Sequence, residues 1–197
     1  MPDRWLVVML KDPRPGRVKT RLGRDIGLVP ATWWFRHQVA RLLRRVQDPR
    51  WTVVLAVAPD RQGMASRSWP PHLPRVPQGQ GDLGARMMRA VRAMPPGPVC
   101  VIGADIPDIT PKRLAQAFGA LGSNDAVFGP ADDGGYWLVG FAQRARNTRT
   151  ALRGVRWSGA HALSDSAQSL GGCRIAHVSQ LADVDSLADL KRLSGRN

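Results

Sequence analysis

The chain has 197 residues, 43% of them hydrophobic, which suits one α/β domain with a full core rather than two domains. Its longest apolar runs are strand-sized, so a transmembrane helix is not expected, and Cys100 and Cys173 offer neither a disulfide framework nor a metal-ligand spacing. The net charge is +14 with only four lysines, Lys11, Lys19, Lys112 and Lys191; so cationic a chain favours anionic partners, whether nucleic acid, phosphorylated small molecules or acidic membranes, although a GC-rich genome also yields arginine-rich proteins.

Trp5 to Leu10 reads as a first buried strand. Its flanks lack a basic leader and a small-residue cleavage site, so a signal peptide is not expected and a cytoplasmic, reduced setting is. The following segment, Lys11 to Leu22, is too proline-rich and basic for regular structure and reads as a loop. Pro30 to Val46 has helical apolar spacing, with arginines opposite. Trp51 to Ala58 is a second strand, and residues 60 to 74 read as irregular. Arg75 to Gly84 combines a short strand with a glycine-rich turn that opens a helix from Leu83 to Met94, stopped by Pro95-Pro96. The most apolar stretch, Pro98 to Asp108, predicts a buried parallel strand that halts at Gly103-Ala-Asp105-Ile-Pro107. Thr110 is a candidate N-cap with Pro111 at the first helical position, for a helix reaching about Leu121. Two strands, Asp125 to Gly129 and Trp137 to Phe141, flank Pro130-Ala-Asp-Asp-Gly-Gly-Tyr136. A helix near His161 to Leu170, a strand Arg174 to Val178 and a helix from Ser186 to Leu193 complete the order. The expectation is an α/β fold, a three-layer α/β/α sandwich whose mostly parallel sheet has one antiparallel strand.

Ligands of open α/β sheets bind at the carboxyl edge of the strands, which directs attention to the segments there. The chain contains no glutamate, so every side-chain carboxylate able to hold a metal or act as a base is one of fifteen aspartates. Lys11, Arg14, Arg17, Lys19 and Arg21 follow the first strand, with Gly16 allowing close approach, and their forks and point charges suit a di- or triphosphate. The spacing is neither a P-loop nor a dinucleotide fingerprint. In Gln78-Gly-Gln80-Gly81-Asp82-Leu-Gly84 an amide can read a base edge, and a turn entering a helix is the simpler account. Asp105, with Asp108 three residues on, ends the central strand where a divalent ion holding a diphosphate would need a carboxylate. Asp183-Val-Asp185 offers either a second ligand or a helix cap. Asp132, Asp133, Gly134, Gly135 and Tyr136 place carboxylates beside aromatics, suited to a sugar or polyol, with one carboxylate to orient or deprotonate an acceptor hydroxyl. Trp157 is a further candidate for the pocket wall or an ordinary core tryptophan. The four histidines are scattered, and no Gly-x-Ser-x-Gly elbow is present.

In this order, Lys11-x-Pro-x-Pro-Gly-Arg-Val-Lys-Thr-Arg-Leu22, Gln80-Gly-Asp-Leu-Gly84, Ile102-Gly-Ala-Asp-Ile-Pro107, Gly129-Pro-Ala-Asp-Asp-Gly-Gly-Tyr-Trp-Leu-Val-Gly140 and Asp183-Val-Asp185 resemble the DUF2064 family. That family is bacterial and GT-A-like, described as glycosyltransferases and in part linked to arsenosugar biosynthesis. The Lys19-Thr-Arg-Leu22 and Gly103-x-Asp-x-Pro107 segments also resemble 2-phospholactate guanylyltransferase and, more remotely, molybdenum-cofactor and sugar nucleotidyltransferases. The resemblance covers nearly the whole chain and implies a single GT-A (nucleotide-diphospho-sugar transferase) domain over residues 1–197. By motif it implies phosphate and nucleotide contacts at Lys11, Arg14, Gly16, Lys19, Arg21, Gln80, Gly81 and Asp82, and Mg²⁺ or Mn²⁺ on Asp105 and Asp185. It departs at Ala85, where many members carry an acidic residue, and at Ser158-Gly-Ala-His161, which lacks the Thr-Pro expected there.

The function expected is metal-dependent glycosyl transfer from a nucleoside diphosphate sugar, with Asp132 or Asp133 acting on the acceptor and Gly134, Gly135, Tyr136 and Trp157 around it. The alternative is nucleotidyl transfer, coupling a nucleoside triphosphate to a small phosphorylated substrate with release of pyrophosphate. The partners expected are a nucleotide sugar or triphosphate and a small acceptor. A nucleic-acid-binding reading of the +14 charge predicts salt-steep binding indifferent to Asp105→Ala, and the chain carries no recognised nucleic-acid motif.

Overall fold

A computed structural model describes residues 3–182; the expected second ligand Asp185, with Asp183 and the last helix, lies outside the described residues. Among the described residues seven strands form one sheet: β1 (Trp5–Lys11), β2 (Thr52–Ala58), β3 (Arg75–Pro77), β4 (Val99–Ile102), β5 (Ala126–Pro130), β6 (Tyr136–Phe141) and β7 (Ile175–His177). Their order is β3-β2-β1-β4-β6-β5-β7, and β6 alone runs antiparallel to its neighbours β4 and β5. The helices are α1 (Thr20–Ile26), α2 (Leu28–Arg45), α3 (Asp60–Ala65), α4 (Leu83–Ala93), α5 (Pro111–Ala120) and α6 (Ala162–Ser169).

Strand side chains alternate between faces, and the core divides accordingly. Leu6, Val8 and Leu10 of β1 join Phe35, Val39 and Leu43 of α2 and Leu114 and Phe118 of α5. Val7 joins Met87, Met88 and Val91 of α4 and, flanking α6, Leu170. The result is the three-layer α/β/α sandwich. Cys100 sits wholly inside it, where burial pushes its thiol well above the usual range, so it acts as core and not as a nucleophile. No helix among the described residues is long and apolar enough to cross a membrane.

The element boundaries follow local chemistry. Thr110 caps α5 by accepting from Arg113 N, with Pro111 in the first turn, and Asp82 Oδ1 caps α4 by accepting from Ala85 N at 2.8 Å. Two expectations change. The basic loop is not irregular throughout: Thr20–Ile26 is helical, entered through Lys19 in the left-handed region (φ 45, ψ 47). The span after β2 also starts with a helix, α3, which packs on β2 and β3. Both are too short for apolar periodicity to reveal them.

Register creates the crevice. β4 ends at Ile102, paired with Val8, while β1 continues through Met9 and Leu10 to Lys11, paired with Ala58. Past Ile102 the chain turns away and leaves the end of β1 uncovered on that side. Because β6 is antiparallel, its first residues and the hairpin that precedes them arrive at this same edge. Arg45 tethers the segment after β4 by donating to the carbonyls of Pro107 and Ile109.

Candidate active site

Two cavities open on this edge and share Met9, Arg21, Gly103 and Asp105 in their linings. One, of ≈390 Å³, is basic, with Lys11, Arg17, Lys19 and Arg21 around it. The other, of ≈370 Å³, has apolar and aromatic walls from Leu83, Met87, Tyr136, Trp137 and Trp157, with Asp133 at its side. Asp105 and Arg21 therefore stand at the junction of a cationic chamber and an aromatic one.

Asp105 lies three residues beyond β4, and its Oδ2 accepts from Lys19 Nζ at 3.1 Å. The lysine side chain is 5% exposed and the aspartate 39%, so the pair has a buried end and an end facing the cleft. A lysine in the left-handed region costs roughly 1–2 kcal/mol, and the Asp105 contact is one interaction that holds it there. Gly103 leaves room for the carboxylate, since a Cβ there would lie 3.0 Å from Asp105 Oδ1.

The hairpin separates the two adjacent carboxylates. Asp133 lines the aromatic chamber, and its Oδ1 accepts from Gly135 N at 2.8 Å. Asp132 does not line it, and its Oδ1 accepts instead from Gln180 Nε2 at 2.7 Å. Gly134, at φ +82, fits tightly against Ala160, where a Cβ would lie 2.5 Å from Ala160 Cα. Its carbonyl accepts from Leu163 N, fixing the hairpin to the segment that carries Trp157. That segment is anchored again by Arg156, which donates through Nε and Nη2 to both oxygens of Asp165 and holds that carboxyl well below the usual carboxylate range.

Of the polar atoms on the three aromatic walls, Tyr136 Oη and Trp137 Nε1 have hydrogen-bond partners and Trp157 Nε1 has none. Burial pushes the Tyr136 phenol far up, and its oxygen accepts from Ser166 Oγ at 3.2 Å. Trp137 Nε1 donates to Ser179 O at 2.9 Å, and Trp157 packs edge-on to Tyr136 with its indole nitrogen buried.

Other expected residues stand apart. Arg14 pairs with Asp12 at 2.8 Å, and neither Arg14 nor Gly16 lines either chamber. Gln80, Gly81 and Asp82 are exposed and line neither, and the Asp82 carboxylate is engaged as a helix cap. Gln78 is buried structurally, donating to Leu10 O and Ala56 O. Residues that sequence reasoning missed include Met9, Leu83, Met87 and Ser158, all in the aromatic chamber. Only Ser158 is conformationally unusual, with φ 64, a property invisible before folding.

A family model of DUF2064, described as an uncharacterized protein conserved in bacteria, matches residues 41–159, more than half of the chain.

The chain belongs to the DUF2064 family.

The matched region spans β2 through Trp157 and so includes Asp105 and the Asp132–Asp133 hairpin. No curated protein matches by sequence. Among solved structures, a Desulfovibrio desulfuricans protein provisionally assigned as a nucleotide-diphospho-sugar transferase is 27% identical, with 98% of this chain and 87% of that chain covered and a TM-score of 0.82. CMP:2-keto-3-deoxy-manno-octonic acid synthetase complexed with CTP is similar at 11% identity, 98% of each chain and a TM-score of 0.63. Rv0371c of Mycobacterium tuberculosis, in complex with manganese, is similar at 16% identity, 97% of each chain and a TM-score of 0.60. The fold is thus that of nucleotide-diphospho-sugar transferases and nucleotidyltransferases.

Proposed function

We propose that this DUF2064 chain forms a single nucleotide-binding transferase domain that transfers a glycosyl group from a nucleoside diphosphate sugar. The observation that carries the reading is that a four-cation chamber and an aromatic one share Asp105 and Arg21 in their linings. Cations suit the diphosphate, and aromatic faces suit a sugar ring or an acceptor. The 27% identity to the Desulfovibrio protein supports the same assignment.

Asp105 suits a hard divalent cation. It offers carboxylate oxygens at the junction, and the described residues contain no group of three acidic, histidine or cysteine side chains that would make a cage without substrate. Asp105 would hold Mg²⁺ or Mn²⁺ jointly with substrate phosphates, and the ion when bound offsets charge on the leaving diphosphate. Lys11, Arg17, Lys19 and Arg21 bind and orient that diphosphate. Asp133 accepts the proton of the acceptor hydroxyl as its oxygen bonds to the anomeric carbon and the bond from that carbon to the diphosphate oxygen breaks.

Nucleotidyl transfer is the second reading, because four cations in one chamber also suit a triphosphate. Calorimetric titration with nucleoside diphosphate sugars and nucleoside triphosphates, with and without Mg²⁺, separates the two. The glycosyl reading expects Mg²⁺-dependent binding of a diphosphate sugar that Asp105→Ala abolishes while far-UV circular dichroism stays unchanged. Tight binding of triphosphate alone, with pyrophosphate released on adding a phosphorylated acceptor, replaces it with the nucleotidyl reading. If neither ligand binds, both fall.

A further inference from the structure

The corner between α1 and α2 carries an apolar cluster that neither chamber uses. Leu28, Val29 and Trp33 are 46%, 53% and 55% exposed, an unusual concentration of large apolar side chains in water. Val29 and Trp33 are one helical turn apart and share a face. The same outer side of α2 continues through exposed Arg36, Arg41 and Arg44, with the Arg36 guanidinium 5.2 Å above the Trp33 ring. The inner side, with Phe35, Val39, Leu42 and Leu43, is committed to the core. From Arg14 to Arg45 there are nine cations and one carboxylate, Asp25; three of the nine, Arg17, Lys19 and Arg21, line the cationic chamber, and Arg14 pairs with Asp12.

We propose that this corner docks on an anionic phospholipid bilayer, with Leu28, Val29 and Trp33 in the boundary between headgroups and acyl chains and the flanking arginines on lipid phosphates. Interfacial attachment needs protruding apolar side chains and surrounding positive charge together, and this corner supplies both. Tryptophan suits the headgroup level because its ring is amphipathic. A second copy is a poor occupant, since a symmetric contact would oppose two strongly cationic faces. Nucleic acid would engage the arginines and stack on Trp33, but it has no use for the aliphatic Leu28 and Val29. The orientation also matters. Leu28 Cδ1 lies within contact distance of the side-chain position at Gly16, in the loop that carries Arg17. Docking therefore places the loop that carries Arg17, one cation of the chamber, beside the bilayer surface.

The test is co-sedimentation of the full chain with phosphatidylcholine vesicles and with vesicles containing phosphatidylglycerol, across a salt series. Binding is expected only to the anionic vesicles and weakens as salt rises. Val29→Ser with Trp33→Ser lowers partitioning about tenfold or more through lost apolar burial. Arg36→Gln and Arg41→Gln lower it about fivefold each. All these positions are exposed, so thermal unfolding stays at the wild-type midpoint, and nucleotide titration is unaffected. The proposal is overturned if the wild-type chain ignores anionic vesicles. It is also overturned if the serine variant binds as well as wild type, because charge alone then accounts for the attraction. Salt-sensitive binding to duplex DNA or RNA, without vesicle binding, would assign the corner to nucleic acid.

Discussion

Gly134→Ala probes whether the hairpin and the Trp157 segment form one wall of the cleft. The new Cβ would lie 2.5 Å from Ala160 Cα, 2.6 Å from its O and 2.8 Å from its C, all backbone atoms that cannot rotate away. Relief requires the two loops to separate by roughly 1 Å. Overpacking of this kind costs about 1–3 kcal/mol. The φ of +82 adds roughly 1–2 kcal/mol for an alanine. Separation also weakens the 3.0 Å bond from Leu163 N to Gly134 O. The total is about 2–5 kcal/mol, which for a chain of this size lowers Tm by roughly 4–20 °C. Displacing Asp133 and Ser158 by roughly 1 Å should lower transferase turnover about 10²-fold. Circular dichroism melts and turnover at saturating substrate, below the variant's Tm, measure the two effects. Wild-type Tm together with wild-type turnover would refute the reasoning, since it would mean the loops move independently.

The two hairpin carboxylates should separate functionally: Asp133→Asn lowers kcat by about 10²-fold or more, whereas Asp132→Asn, which keeps an oxygen to accept from Gln180, stays near wild type. Equal losses in steady-state assays would return the pair to a shared role. Arg146→Ala should destabilise by about 3 kcal/mol or more in urea titrations, because the buried guanidinium donates to the carbonyls of Val91, Met94, Pro95 and Gly97 near the end of α4. An unchanged urea midpoint would show those carbonyls find water. Acid sensitivity should begin late. Arg50 holds Asp48 down to about 2; Asp165 is lowered by the Arg156 side chain, and Asp125 by the backbone N–H of Arg174 and then by the Arg144 side chain. Depressed carboxyl pKa values stabilise above the unfolded-state range near ~4 and lose that contribution as pH falls towards the folded values. The urea midpoint should therefore respond to these groups only below about pH 5. A decline between about pH 6 and 5 would point to other groups.

Much of the fold was legible because it rests on local signals. The apolar runs that became β1, β2, β4 and β6 are buried along most of their length, and Thr110-Pro111 and Asp82 act as helix starts through short-range bonds. The helices α1 and α3 escaped because seven and six residues contain too few turns for periodicity. In the Gln78–Asp82 turn, the residue types suggest base reading. The fold commits the Gln78 amide to strand carbonyls and the Asp82 carboxylate to a cap, leaving Gln80 and Gly81 exposed and outside both chambers.

Taken alone, the chain's residues determined the alternation of elements, a carboxylate just beyond a buried strand and the cationic segment after β1, since each depends on neighbours a few positions away. The tertiary structure alone decided that Lys19, 86 residues from Asp105 in the chain, is bonded to it, and that Asp133 rather than Asp132 lines the cleft. It also decided that Trp157 meets Tyr136 and that Leu28, Val29 and Trp33 stay uncovered. The reason is physical: pairing across a sheet edge and burial against distant loops depend on register and packing, which no window of sequence contains.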